Sequence, residues 1–146
     1  MLSKKIKELF NQKGSVSLTK EEKQKYIEAL VDLNIPLSSI FAEFNLSTIG
    51  PTFNGRKREI YNVCWFKIYS NDLDYAIESA RNILKIPEKY LPLDSFEGEG
   101  GFFYNKETGE VVELELGEKL INFQKGIIDT KWNNINEFLE WYFELN

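Results

Sequence analysis

The sequence predicts an α+β fold, one domain in which helices pack against a mainly antiparallel sheet. Three observations predict it. Apolar residues recur at helical spacing through residues 1–45, behind recognisable N-caps. Residues 102–116 alternate apolar and acidic side chains with period two about a Gly-containing turn. A last capped segment then carries Phe138, Leu139, Trp141, Tyr142 and Leu145. At 146 residues the chain is expected to be one domain, with N-terminal helices over 1–45, a sheet and helix core over 46–132 and a C-terminal helix over 134–146.

The elements follow in order. Ser3 to Gln12 is an amphipathic helix with Ile6, Leu9 and Phe10 on one side, ended by Gly14. Thr19-Lys20-Glu21-Glu22 reads as a capping box opening a helix to about Asp32, striped by Tyr26, Ile27, Leu30 and Val31. Pro36 suits the start of a short helix through Phe44 that buries Leu37, Ile40, Phe41 and Phe44. Asn54-Gly55 suits a tight turn between strands. Ile60 to Tyr69 is β-branched and aromatic, so it reads as a buried strand. Asn71 to Asp74 caps a helix to about Leu84, burying Leu73, Ala76, Ile77, Ala80, Ile83 and Leu84, and Pro87 stops it. Leu91-Pro92-Leu93 is extended. Phe102 to Tyr104 and Glu110 to Leu116 form a hairpin, with Val112, Leu114 and Leu116 on one face and Val111, Glu113 and Glu115 on the other. That alternation predicts a sheet with one face on helices and the other partly open. Ile121 to Trp132 reads as one or two strands with a turn at Gly126, and Asn134 to Glu137 as a second capping box.

Charge is unevenly placed. Residues 1–70 hold 11 Lys and Arg against 7 Asp and Glu, whereas residues 71–146 hold 7 against 16. From Glu88 to Glu118 nine carboxylates stand against Lys89 and Lys106. Such a field repels nucleic acid and anionic membranes and steers cationic partners inward. Arg56-Lys57-Arg58 is the one dense basic cluster, and it reads as a solvated lead-in to the next strand.

Several chemistries lack their residues. The chain has no histidine, which removes Ser–His and Cys–His nucleophiles and histidine zinc sites. Cys64 is the lone cysteine, set in an apolar run where a buried, inert thiol is expected. Glu97-Gly98-Glu99-Gly100-Gly101 has the glycines of a phosphate loop without its Lys-Ser/Thr, and its glutamates repel phosphate. Asp94, Glu97 and Glu99 lack the spacing of a calcium loop. No metal, cofactor or catalytic residue is therefore assigned. No apolar run approaches the ~20 residues needed to cross a bilayer, and the basic N-terminus has no signal-peptide core, so a cytoplasmic location is expected.

The order Ile86-Pro87-Glu88-Lys89-Tyr90-Leu91-Pro92-Leu93, Gly100-Gly101-Phe102-Phe103-Tyr104, Thr108-Gly109-Glu110-Val111 and Asn136-Glu137-Phe138-Leu139-Glu140 resembles the SUKH superfamily of Smi/Knr-type domains. The match covers about the last 60 residues. Ile35-Pro36-Leu37 through Phe44 is similar to the family's early helix, without the glycine pair that usually follows. The resemblance implies a curved sheet with helices packed against it. In bacteria it implies an immunity protein, a non-catalytic cytoplasmic module that binds and neutralises a toxin, often a nuclease. An acidic surface fits the basic cleft such a toxin uses to hold phosphates. The expected partner-binding residues are Asp94, Glu97, Glu99, Glu113 and Glu115, with Phe103 as an apolar anchor, on a monomer or weak dimer. The alternative is an intracellular regulatory or scaffold domain of the same type without a toxin partner. A carboxylate-pair hydrolase is a third reading, requiring two carboxylates at a pocket with separated pKa values.

Overall fold

The hairpin of strands Gly100–Asn105 and Val111–Glu115 organises the domain because both of its faces are apolar enough to bury. The computed structural model describes residues 1–13, 17–96 and 99–146. Helices α1 (Lys4–Gln12), α2 (Lys20–Asp32) and α3 (Ile40–Asn45) lead into a two-stranded antiparallel sheet, β1 (Thr52–Phe53) and β2 (Ile60–Tyr61). Helices α4 (Val63–Tyr69) and α5 (Asp72–Asn82) follow, then β3 (Tyr90–Pro92), β4 (Gly100–Asn105), β5 (Val111–Glu115), α6 (Glu118–Gln124), β6 (Lys131–Trp132) and α7 (Ile135–Tyr142). The main sheet runs β3-β4-β5-β6, antiparallel throughout. The α+β class is as the sequence predicts.

Strand alternation divides the core in two. Leu91, Phe102, Tyr104 and Val111 join the larger cluster with Ile6, Tyr26, Phe41, Phe138 and Tyr142. Tyr90, Phe103, Val112 and Leu114 point the other way, against Ala80, Leu84, Ile86 and Phe123. Neither face is open, contrary to the expectation from the Glu113/Glu115 pattern. The Glu113 face packs, through Phe102, Tyr104 and Val111, into the larger cluster with Phe138 and Tyr142, and the Val112/Leu114 face is covered by α6, which forms where strands were expected. Gly117 takes φ +100 and turns the chain out of β5. Leu120 and Phe123 then stand three apart, on one helical face over Val112 and Leu114. β6 supplies the strand of that segment and pairs with β5.

Residues 60–69 also depart from the strand reading. Only Ile60–Tyr61 is strand, and Val63–Tyr69 is helix. Asn62 makes the switch. Its Oδ1 accepts from the Cys64 and Trp65 amides at 3.1 and 3.2 Å, capping α4. Its Nδ2 donates to the Asn45 carbonyl at 3.0 Å, and Asn45 Oδ1 accepts from the Val63 amide at 3.0 Å. Both asparagines are fully buried and bonded, so this cap outweighs the β propensity of the run.

Smaller differences have local causes. The Thr19–Glu22 capping box is present in both directions. At α7, Asn134 caps the Glu137 amide, but Glu137 Oε2 accepts from Asn133 rather than from the cap residue. Asn54-Gly55 begins a longer connection between β1 and β2 rather than a two-residue turn. Leu37, Val31, Ile83 and Leu116 are exposed, whereas Ala29 takes the buried place beside Leu30. The expected helix stop at Gly14 lies outside the described residues. Among those described, no helix is long and apolar enough to cross a membrane.

Candidate functional site

The basic cluster is fastened before it meets the hairpin. The Tyr142 hydroxyl on α7 lies 2.9 Å from the Phe53 carbonyl and 2.5 Å from that of Arg58. The Arg56 amide donates to the Tyr142 carbonyl at 2.6 Å, and its guanidinium lies over the Trp141 ring at 5.1 Å. So held, Lys57 and Arg58 reach across to β5. Glu113 Oε2 accepts from Lys57 Nζ at 2.6 Å and Arg58 Nη1 at 2.8 Å, with Lys119 Nζ 3.8 Å from its Oε1. Burial raises the Glu113 pKa, but the hydrogen bonds from Lys57 and Arg58 outweigh it and hold the carboxyl below its usual range. Glu115 is half-exposed and shares the same cations at 3.7 and 3.8 Å. The cluster read as a solvated lead-in is thus largely the counter-charge of the hairpin.

Asp94 is buried as well. Its Oδ1 accepts from the Phe96 amide and its Oδ2 from the Phe102 amide, each at 3.1 Å. This pins the turn after β3 to β4. The paired glycines make room: a Cβ on Gly101 would overlap Asp94, and one on Gly100 would overlap Arg58. Burial pushes the Asp94 carboxyl up to about 6, against the opposing pull of the Phe102 and Phe96 amides and of Arg58.

The six residues expected to form a partner surface therefore separate. Asp94 and Glu113 are 4% and 5% exposed and bonded internally, and Phe103 is 1% exposed, packed 5.9 Å from the Phe96 ring. Phe103 cannot act as a surface anchor in this fold, because strand alternation turns it into the smaller core. Glu115 is partly neutralised. Glu99 is exposed, at φ +66, and its carbonyl accepts from the Leu116 amide. Glu97 lies outside the described residues.

A cleft opens on the other side of Arg58. It holds about 520 Å³ between β1–β2, the start of α5 and the turn after β3. Glu59, Asp72 and Asp94 line it with Arg58, and the Tyr61 and Phe66 rings stack on its wall at 3.9 Å. A neighbouring hollow shares Tyr61, Asp72 and Ser95 and ends at the exposed Tyr75. Glu59 and Asp72 are exposed, and neither forms a salt bridge among the described residues. These two were missed as site residues. Asp72 reads from sequence as a helix-start charge, Glu59 stands just past the Arg56-Lys57-Arg58 cluster, and no local signal joins them.

Among the described residues, no three His, Cys, Asp or Glu side chains gather as a metal site. Cys64 is fully buried, and burial pushes its thiol up to about 12. No family model matches the chain, and neither a curated protein nor a solved structure matches it.

Proposed function

We propose that this protein is a non-catalytic binding module, an immunity protein of the SUKH type that captures a basic toxin through an acidic surface. The observation that carries the reading is the cleft. Glu59 and Asp72 stand exposed in a concavity with aromatic walls, and Arg58 at its edge is ion-paired on its far side with Glu113 and Glu115. Concave shape, outward carboxylates and an exposed Tyr75 suit the capture of lysine and arginine side chains from a partner protein. The buried Glu113 supports this surface from beneath, and the nearly buried Asp94 forms part of the cleft lining. The chain's single thiol is enclosed, and burial raises its pKa, so it offers no surface nucleophile.

The test pairs the chain with the product of the gene adjacent to its own. Co-expression should protect cells from that product, and calorimetry should give a one-to-one complex weakened by salt. Glu59→Lys/Asp72→Lys should lose both protection and affinity. A neighbouring product that is harmless and does not bind overturns the toxin reading. A complex unaffected by the double reversal overturns the cleft assignment.

One observation favours a carboxylate-based hydrolase as a second reading. The Asp94 and Glu113 carboxyls are pushed apart, one up and one down, across Arg58. Only Asp94 lines the cleft, however, and both its oxygens are engaged by backbone amides. Hydrolysis abolished by Asp94→Asn would favour this reading over the binding module.

A further inference from the structure

We propose a second docking surface, on the side of the sheet covered by α5 and α6, that takes an acidic protein segment carrying an apolar anchor. A groove of about 640 Å³ lies between the end of α5, the start of β3 and the end of α6. Its floor is the edge-to-face pair Tyr90 and Phe123, with ring centroids 5.0 Å apart, extended by Pro87 and Ile128. Gln124 Nε2 donates to the Leu84 carbonyl at 2.9 Å, which ties the two helix ends together and sets the width of the groove.

Charge decides the occupant. The chain carries net charge −5, yet no carboxylate lines this groove. Its two charged lining residues are Lys85 and Lys89, both exposed and neither in a salt bridge among the described residues. Lys89 Nζ sits 5.7 Å from the Tyr90 ring, so a cation stands directly beside the apolar floor. Ile127 is exposed next to the lining residues Gly126 and Ile128 and adds aliphatic surface at the rim. A groove of this volume takes a few side chains. Leucine or phenylalanine fits over Tyr90 and Phe123, and flanking carboxylates fit Lys85 and Lys89. The acidic cleft beside Arg58 and this basic, apolar groove would thus select partners of opposite charge.

The test uses the full chain, labelled with ¹⁵N, and a capped hexapeptide of two glutamates, leucine, phenylalanine and two further glutamates. Saturable shifts confined to residues 85–90 and 123–128 are expected. The surface variant Lys85→Glu/Lys89→Glu should bind about tenfold more weakly, and the remote control Lys20→Glu/Lys25→Glu should bind as wild type. The proposal is overturned if the acidic peptide does not saturate at millimolar concentration. It is equally overturned if the same peptide with lysines for glutamates, or a hexathymidylate, binds as well at these residues.

Discussion

Replacing Asp94 by asparagine should change how stability depends on pH, by an amount that follows from its burial. Asp94 faces Arg58, Glu113 and Tyr142 as well as the two amides it accepts from. Its carboxyl sits at about 6 in the folded protein against an ordinary 3.8. The folded-state pKa is the higher of the two, so the fold disfavours the charged form. That cost is full above pH 6 and is relieved as pH falls toward the unfolded value. Linkage converts the shift to roughly 3 kcal/mol in all, of which ~1.4 kcal/mol appears between pH 8 and pH 5. Asp94→Asn has nothing to titrate. Its amide also opposes one backbone N–H, a constant cost of about 1–3 kcal/mol that cancels in the comparison across pH. Glu113, whose pKa is held low, titrates below this window. Urea denaturation of both proteins at pH 8, 7, 6 and 5 measures the difference. The wild type should gain ~1.4 kcal/mol relative to the variant on going to pH 5. Parallel curves, or a relative loss, would refute the buried-acid account.

Other parts of the structure lead to further measurements. Asn62→Ala removes the α4 cap and strips bonds from the Asn45 carbonyl and the Cys64 and Trp65 amides, so it should cost about 3 kcal/mol in chemical denaturation. Thr19→Ala breaks an exposed capping box and should cost only ~1 kcal/mol by the same assay. Glu113→Ala removes the carboxylate that Lys57 and Arg58 hydrogen-bond and leaves them Glu115 at 3.7 and 3.8 Å; the cations are part-exposed and can rehydrate, so a loss of about 2 kcal/mol is expected, below the 3–5 kcal/mol of a fully buried pair. Cys64 should react with a thiol reagent only as the protein unfolds, and rapid native labelling would contradict its burial.

What could be read from the sequence was local. The Thr19 box, the helix after it and the Tyr104–Val111 hairpin depend on neighbours within a few residues, and all are present. The errors arose where distant groups decided the outcome. Asn62 turns a β-rich run into a helix because Asn45, 17 residues earlier, completes its hydrogen bonding. The hairpin carboxylates look like a free acidic face until Lys57 and Arg58, more than 50 residues away, close on Glu113. Phe103 differs from Phe102 only in parity, and parity marks a surface residue only if one face of the sheet is open. Here α6 covers it. The cleft was hidden for the same reason, since Glu59 and Asp72 come from separate elements and meet only in the fold.

The most direct test of the account is the association rate with the adjacent gene's product at low and high ionic strength. Glu59→Lys/Asp72→Lys should slow association at least about tenfold at low salt, with the rates converging as salt screens the field. Rates unchanged by the double reversal, at both ionic strengths, would contradict the acidic cleft as the surface that meets the partner.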